Sequence, residues 1–369
     1  MPPSTTPPFR AEHIGSLLRP PALLARRQQH ARGEIDDAAL HAAEDQAIDD
    51  AVGLQARVGL ALATDGEFRR RSYHSYFYRQ LGDVAPDAVG GEAASQGGRG
   101  AQPTATIKSR LQWRAPIHVD DFKRLRALTG ATPKITIPGP CALHFRGGDA
   151  AILAHAYRDV DAFWDDTVAA FRAELTALAD AGCTYVQIDE TAFAKFGDPD
   201  VQAALAARGD DWSRLIDLYI GVTNRVLAGL PASLHVGMHL CRGNRGGSWH
   251  AEGSYDAVAE RLFNALAIPF YFLEYDSPRA GDFTPLRHVP KHKRVVLGLV
   301  STKTPTLEDK DDLKRRLDAA SRTLDLDHLA VSPQCGFASV AEGNPITPQV
   351  QEAKLRLIVE LAREVWGTN

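Results

Sequence analysis

His239 and Cys241 stand two apart in the run Met238-His239-Leu240-Cys241, and Glu274 and Cys335 follow, each near the end of its own apolar run. Thiolate, imidazole and carboxylate together are the ligand chemistry of Zn2+; Mg2+ and Ca2+ take oxygen. Side chains alternate along a strand, so His239 and Cys241 project to one side with Cβ atoms roughly 6–7 Å apart, close enough to share an ion. A metal that carries two thiolates and keeps a labile position activates a substrate thiol. The expected chain is therefore an enzyme. The other residues of ligand type have plainer readings: His235 as a core histidine, Cys183 as packing and Cys141 as structural.

Such a set needs a scaffold that brings distant segments together. Short apolar runs at 11–17, 60–67, 134–140, 184–190, 234–241, 271–276, 294–301 and 328–335 alternate with helical patterns at 36–58, 158–182, 199–229, 254–267, 306–322 and 345–366, plus a shorter one near 120–130. Buried strands alternating with helices imply parallel βαβ units. Eight of them predict an α/β (βα)8 TIM barrel, with an open doubly wound sheet as the competitor. Thr306, before Leu307-Glu308-Asp309, and Thr347-Pro348 are the expected starts of the last two helices. The glycine-rich stretches Val89-Gly90-Gly91 and Gln96-Gly97-Gly98-Arg99-Gly100 read as flexible, and Thr104 to Gln112 as a hairpin strand. Residues 79–116 are thus an insertion after the second unit, over the barrel mouth. The whole chain, 1–369, reads as a single catalytic barrel domain. Ser16, Glu67, Asp189, Glu190, His239, Cys241, Glu274, Lys303 and Cys335 all fall at or just past the ends of apolar runs, where that fold gathers its chemistry.

Composition narrows the alternatives. The chain has 42 Lys+Arg against 46 Asp+Glu, a net charge of -4, so no basic excess points to nucleic acid or to an anionic membrane surface. No apolar run approaches the ~20 residues of a spanning helix, and the Pro-rich start does not read as a signal peptide. A cytoplasmic location follows as an expectation, with the four cysteines reduced.

Taken together, these motifs resemble the catalytic half of cobalamin-independent methionine synthase. His239-x-Cys241, the later Glu274 and Cys335 match its metal set in order. His13-Ile14-Gly15-Ser16 resembles the family's Ile-Gly-Ser opening; Gln55 to Gly59 with Asp65-Gly66-Glu67 resembles its Gln-x-x-x-Gly and Gly-Glu segment; Gln187-Ile188-Asp189-Glu190 resembles its Gln-x-Asp-Glu-Pro. The resemblance spans nearly the whole chain, as in the short, single-barrel members. It implies a zinc-bearing barrel that moves a methyl group from methyltetrahydrofolate to homocysteine. Zn2+ would be held by His239, Cys241, Glu274 and Cys335. Ser16 would hold the amino-acid carboxylate, and Glu67 and Asp189 its ammonium group.

Departures from the family pattern concentrate on the donor side. Thr191 replaces the Pro after Asp-Glu, and the gap from Cys241 to Glu274 is lengthened around 243–250. Arg146 falls where the long enzymes offer a Trp as pterin platform, leaving Phe145 to stack in its place. Lys303 occupies the place of a His thought to handle a proton. Lys108-Ser109-Arg110 resembles a segment near folate, whereas Arg69-Arg70-Arg71 reads as a solvated face. Two rivals remain. One is another zinc-dependent alkyl transfer to a thiol, resembling epoxyalkane–coenzyme M transferase; its sulfonate thiol would want cations where this chain has Glu67 and Asp189. The other is a metal-free binding or decarboxylating barrel.

Overall fold

The protein is described here by a computed structural model covering residues 6–88 and 104–368; both glycine-rich stretches fall outside the described residues. The strands are β1 (Leu62–Ala63), β2 (Val84–Ala88), β3 (Thr104–Ile107), β4 (Thr132–Pro133), β5 (Ile135–Pro138), β6 (Tyr185–Glu190), β7 (His235–Leu240), β8 (Phe270–Glu274), β9 (Arg294–Val300) and β10 (Leu329–Pro333). The helices are α1 (Pro21–Ala31), α2 (Asp37–Val58), α3 (Ser75–Leu81), α4 (Val119–Leu128), α5 (Ala142–Leu153), α6 (Val160–Asp180), α7 (Pro199–Ala207), α8 (Trp212–Leu227), α9 (Asp256–Ala265), α10 (Lys310–Ser321) and α11 (Pro348–Trp366). No helix among the described residues is long and apolar enough to cross a membrane.

Strands β5 to β10 pair in parallel in chain order, and β1 pairs in parallel with β4, which leads into β5. Segment 11–17 closes the remaining side. The Glu12 amide donates to the Val331 carbonyl at 2.8 Å on one flank, and the Leu17 amide donates to the Gly66 carbonyl at 3.1 Å on the other. The fold is a (βα)8 TIM barrel with an insertion after its second unit. Within 79–116 the described residues hold the end of α3 and the antiparallel hairpin β2–β3, in register at Val84 and Ile107.

Several boundaries differ from the sequence reading. The first predicted strand makes one isolated bridge, Ala11 to Val331, because Gly15 leaves the extended region at φ 134°. The second is cut to two residues, since Gly66 and Glu67 turn left-handed at φ 66° and 61°. The predicted helix 199–229 is two helices: Gly209 at φ 92° ends α7, and the Asp211 carboxylate caps α8 by accepting from Ser213 and Arg214 amides. Helix α10 starts later than Thr306 because Asp309 is its cap. Thr347 caps α11 as read.

Alternation within each strand separates two apolar layers. The larger lies between the sheet and the helices. The smaller, which includes Ile14, Tyr185, Phe270, Phe272 and Val296, fills the barrel interior. Tyr185 shares its strand face with Gln187 and Asp189, and Phe272 shares its face with Glu274, so that packed floor sits directly beneath the polar ends of the strands. A fully buried ion pair crosses it: Lys134 Nζ donates to Glu12 Oε2 at 3.2 Å and to Gln187 Oε1 at 3.1 Å, while the Tyr185 hydroxyl donates to Glu12 Oε1 at 2.8 Å. Breaking such a pair leaves an uncompensated buried charge, at a cost of about 3–5 kcal/mol. We expect Lys134→Ala to lower unfolding stability by that amount in urea titration, with Glu12→Gln/Lys134→Met losing much less.

Candidate active site

The four predicted ligands converge. Nδ1 or Nε2 of His239, both sulfurs and a Glu274 oxygen all lie within 4.8 Å of one another, and all four residues are buried. His239 and Cys241 come from the end of β7, Glu274 ends β8, and Cys335 lies just past β10. Cys241 Sγ is 3.6 Å from Cys335 Sγ and 3.6 Å from Glu274 Oε1. That sulfur separation is far beyond a disulfide bond. It matches the roughly 3.7 Å between two sulfurs bound tetrahedrally to one ion at about 2.3 Å. Neither ring nitrogen of His239 has an oxygen or nitrogen partner, although the ring is 2% exposed. A buried imidazole is rarely left so, and a cation at the common centre would satisfy it. The residues therefore fit a metal.

Their electrostatics agree. The hydrogen bond from Cys241 holds the Cys335 thiol well below its ordinary pKa, and the same contact, with burial, pushes Cys241 well above. Burial alone would lower the pKa of His239, but the Cys335 sulfur together with the Asp189 and Glu274 charges raises it. Burial raises the Glu274 carboxyl. Lys303 Nζ is buried without a hydrogen-bond partner; burial opposes its charge, yet Glu274 and Asp276 prevail and raise its pKa. Around the set, the Gly243 amide donates to Cys241 Sγ at 3.2 Å and the Arg242 amide donates to Glu274 Oε2 at 3.0 Å. These contacts orient the ligands before any ion arrives.

One cavity is lined by Ser16, Glu67, Asp189, His239, Cys241 and Cys335. Asp189 is brought beside His239 by the β6–β7 register. Its Oδ1 accepts from Gln187 Nε2 at 2.6 Å, and burial, with Glu67 nearby, pushes its pKa up to about 7. Glu67 Oε1 accepts from Thr136 Oγ1 at 2.8 Å and lies 4.0 Å from Arg70 Nη1, while its Oε2 has no partner. Two buried carboxylates facing one cavity can hold a cation. Ser16 Oγ accepts from the Ala338 amide at 3.4 Å, and a Cβ on Gly336 would stand only 1.9 Å from it, so that glycine leaves room for the hydroxyl.

The other sequence-predicted site residues lie elsewhere. Lys108 is exposed, Ser109 Oγ accepts from the Asp83 amide at 2.8 Å, and Arg110 pairs with Asp166 through two 2.8 Å contacts. None of the three lines the cavity. Phe145 is buried edge-on against Phe196, with ring centroids 5.6 Å apart. It faces the core because its neighbour on α5, Arg146, takes the cavity side. Lys303 is absent from the wall too, and the charges acting on it are those of Glu274, Asp276 and the two cysteines. The run at 69–71 is not a solvated face: Arg69 pairs with Glu44, Asp45 and Asp121, Arg70 is fully buried on the Thr136 carbonyl, and Arg71 lines the cavity. Residues missed from sequence are Tyr73, His74, Lys195 and Asn244. They lie at or beyond helix starts and in loops, where no periodicity signals them.

Fold and site together define a parallel (βα)8 barrel enzyme with a sulfur-rich cluster at its mouth that could hold a metal ion. The family profile described as the cobalamin-independent synthase catalytic domain matches residues 9–364, and the chain belongs to that family. It is 41% identical over 367 residues to Bacillus subtilis YxjG, described as an uncharacterized protein, covering 98% of this chain and 95% of that one. It is similar, at 26% identity over 367 residues, to the 5-methyltetrahydropteroyltriglutamate–homocysteine methyltransferase of Mycobacterium tuberculosis, covering 97% of this chain but 43% of that enzyme. Among solved structures it resembles the putative vitamin-B12 independent methionine synthase from Listeria monocytogenes, with a TM-score of 0.76, 31% identity and coverage of 99% and 100%.

Proposed function

We propose that the chain is a zinc-dependent methyltransferase that makes methionine from homocysteine, drawing the methyl group from a methyltetrahydrofolate-type donor. The observation that carries this reading is the buried His239, Cys241, Glu274 and Cys335 set, three of which, His239, Cys241 and Cys335, line the same cavity as two buried acids and Ser16. Zn2+, when bound there, would keep a substrate thiol deprotonated at neutral pH.

The chain's own residues do the rest. The unpartnered Oε2 of Glu67 and the Asp189 carboxylate receive the homocysteine ammonium group, and Ser16 takes its carboxylate. Gln187, anchored on the Ile14 carbonyl at 2.6 Å, fixes the direction of Asp189. Burial of both acids keeps water from competing for the amine and strengthens the charge contact. Held at three points, the thiol is aimed at the donor methyl, so most of the acceleration is positioning. A sulfur–carbon bond forms as the donor's carbon–nitrogen bond breaks; the electron pair stays on nitrogen, which takes up one proton. Lys303 offsets the negative charge of the ligands rather than touching the substrate.

The test is product analysis. Zinc-loaded protein is incubated with homocysteine and 5-methyltetrahydrofolate carrying one or three glutamates, and methionine is scored. Full zinc occupancy with no methionine from either donor would overturn the reading.

A further inference from the structure

We propose that Lys134 is a positioning residue for substrate recognition: from the buried barrel floor it fixes, through the Gln187 amide, the Asp189 carboxylate that faces the cavity. The inference deepens the reading in which Asp189 holds the homocysteine ammonium group, and it rests on that reading. Lys134 Nζ donates to Gln187 Oε1 at 3.1 Å, to Glu12 Oε2 at 3.2 Å and to the His13 carbonyl. An ammonium group has three donors and no acceptor, so all three are engaged. Glu12 Oε1 accepts from the Tyr185 hydroxyl at 2.8 Å and from the Phe9 amide at 3.0 Å, each of which favours its ionised form. The Tyr185 and Phe272 rings lie under the ammonium, with centroids 5.3 and 4.9 Å from Nζ. Lys134 is thereby held from several sides.

A side-chain amide has two ends of opposite character. Gln187 gives its oxygen to Lys134 and its two N–H groups to the Ile14 carbonyl and Asp189 Oδ1, each at 2.6 Å. Turned over, it would set N–H groups against the ammonium, and its oxygen against a carbonyl and a carboxylate. Lys134 thus decides which end of the amide Asp189 meets. With Oδ1 tied to Gln187, Oδ2 is the oxygen left for the amine. Without the donor at the floor, the amide gains a second orientation, in which its oxygen repels Asp189 and turns the carboxylate from its task. Glu12, Lys134 and Gln187 are fully buried, where a polar end without its match costs most.

Calorimetric titration of the zinc-loaded protein tests this without turnover, using homocysteine and 4-mercaptobutyrate, the same thiol acid without its amine. Wild type should prefer homocysteine. In Glu12→Gln/Lys134→Met, which leaves no unpaired charge in the floor, that preference should fall about tenfold, the order of one hydrogen bond to a charged group. Affinity for 4-mercaptobutyrate and zinc content should stay at wild-type levels. A role in stability alone would leave the preference untouched. Gln187→Met should cause a similar fall, and combining it with the double variant should add little, because both changes break one chain of contacts. If the double variant does not fold, Glu12→Gln/Lys134→Leu takes its place. The positioning role is overturned if wild type prefers homocysteine and the double variant prefers it equally, or if the Gln187 and Lys134 effects add in full. A wild type that binds both thiols equally would overturn the amine-holding role of Asp189, and this inference with it.

Discussion

Replacement of Cys335 by serine is expected to lower zinc affinity by roughly a hundredfold or more and to abolish methionine formation. Disturbing only the partners that orient a ligand already costs about 10–100-fold in metal affinity, and removing a donor costs at least that. A serine hydroxyl does not ionise at neutral pH, so the centre would lose a charge along with its sulfur. The remaining donors lie on β7 and β8, and the link to the end of the barrel at β10 is lost. Zinc content after dialysis against a competing chelator, alongside circular dichroism to show the barrel intact, is the measurement. Equal metal in wild type and variant would sink the assignment of the whole centre.

Asp189→Asn should lower kcat/KM for homocysteine by about two to three orders of magnitude with zinc retained. Removing one partner of a buried charge pair costs about 3–5 kcal/mol, and each 1.4 kcal/mol is a factor of ten. The asparagine is nearly isosteric and can still accept from Gln187, so the loss isolates the charge. Steady-state kinetics read the effect and metal analysis reads the control. Loss of zinc together with activity would show that Asp189 serves the metal and not the amine.

The metal set was legible because strand alternation is rigid: residues two apart on β7 had to share a face, and residues ending neighbouring strands had to share a rim. Asp189, near the end of β6, reaches the same rim through its register with β7, whereas Glu67 comes to it from the left-handed turn after β1. What escaped depends on tertiary packing. Lys134 looks like any lysine before a strand, and only its burial against Glu12 reveals an internal ion pair. Phe145 and Arg146 are adjacent on one helix, and nothing local says which turns to the cavity. The run Arg69-Arg70-Arg71 sends its side chains to three different environments, which no composition rule foresees. Segment 11–17 has the apolar content of a strand, but Gly15 breaks the ladder. The Lys108 to Arg110 stretch matched a motif, yet its arginine found Asp166 instead.

Glu67 is the non-glycine residue with positive φ among the described residues, at 61°, and it is 2% exposed. A backbone held there runs against the handedness of its own α-carbon at a cost of about 1–2 kcal/mol. Any search for heat-resistant versions of this protein would be drawn to that position, because glycine relaxes it at once. The gain would come at the expense of the carboxylate proposed to hold the substrate amine, so on that reading selection for hardiness and selection for turnover pull this one residue in opposite directions.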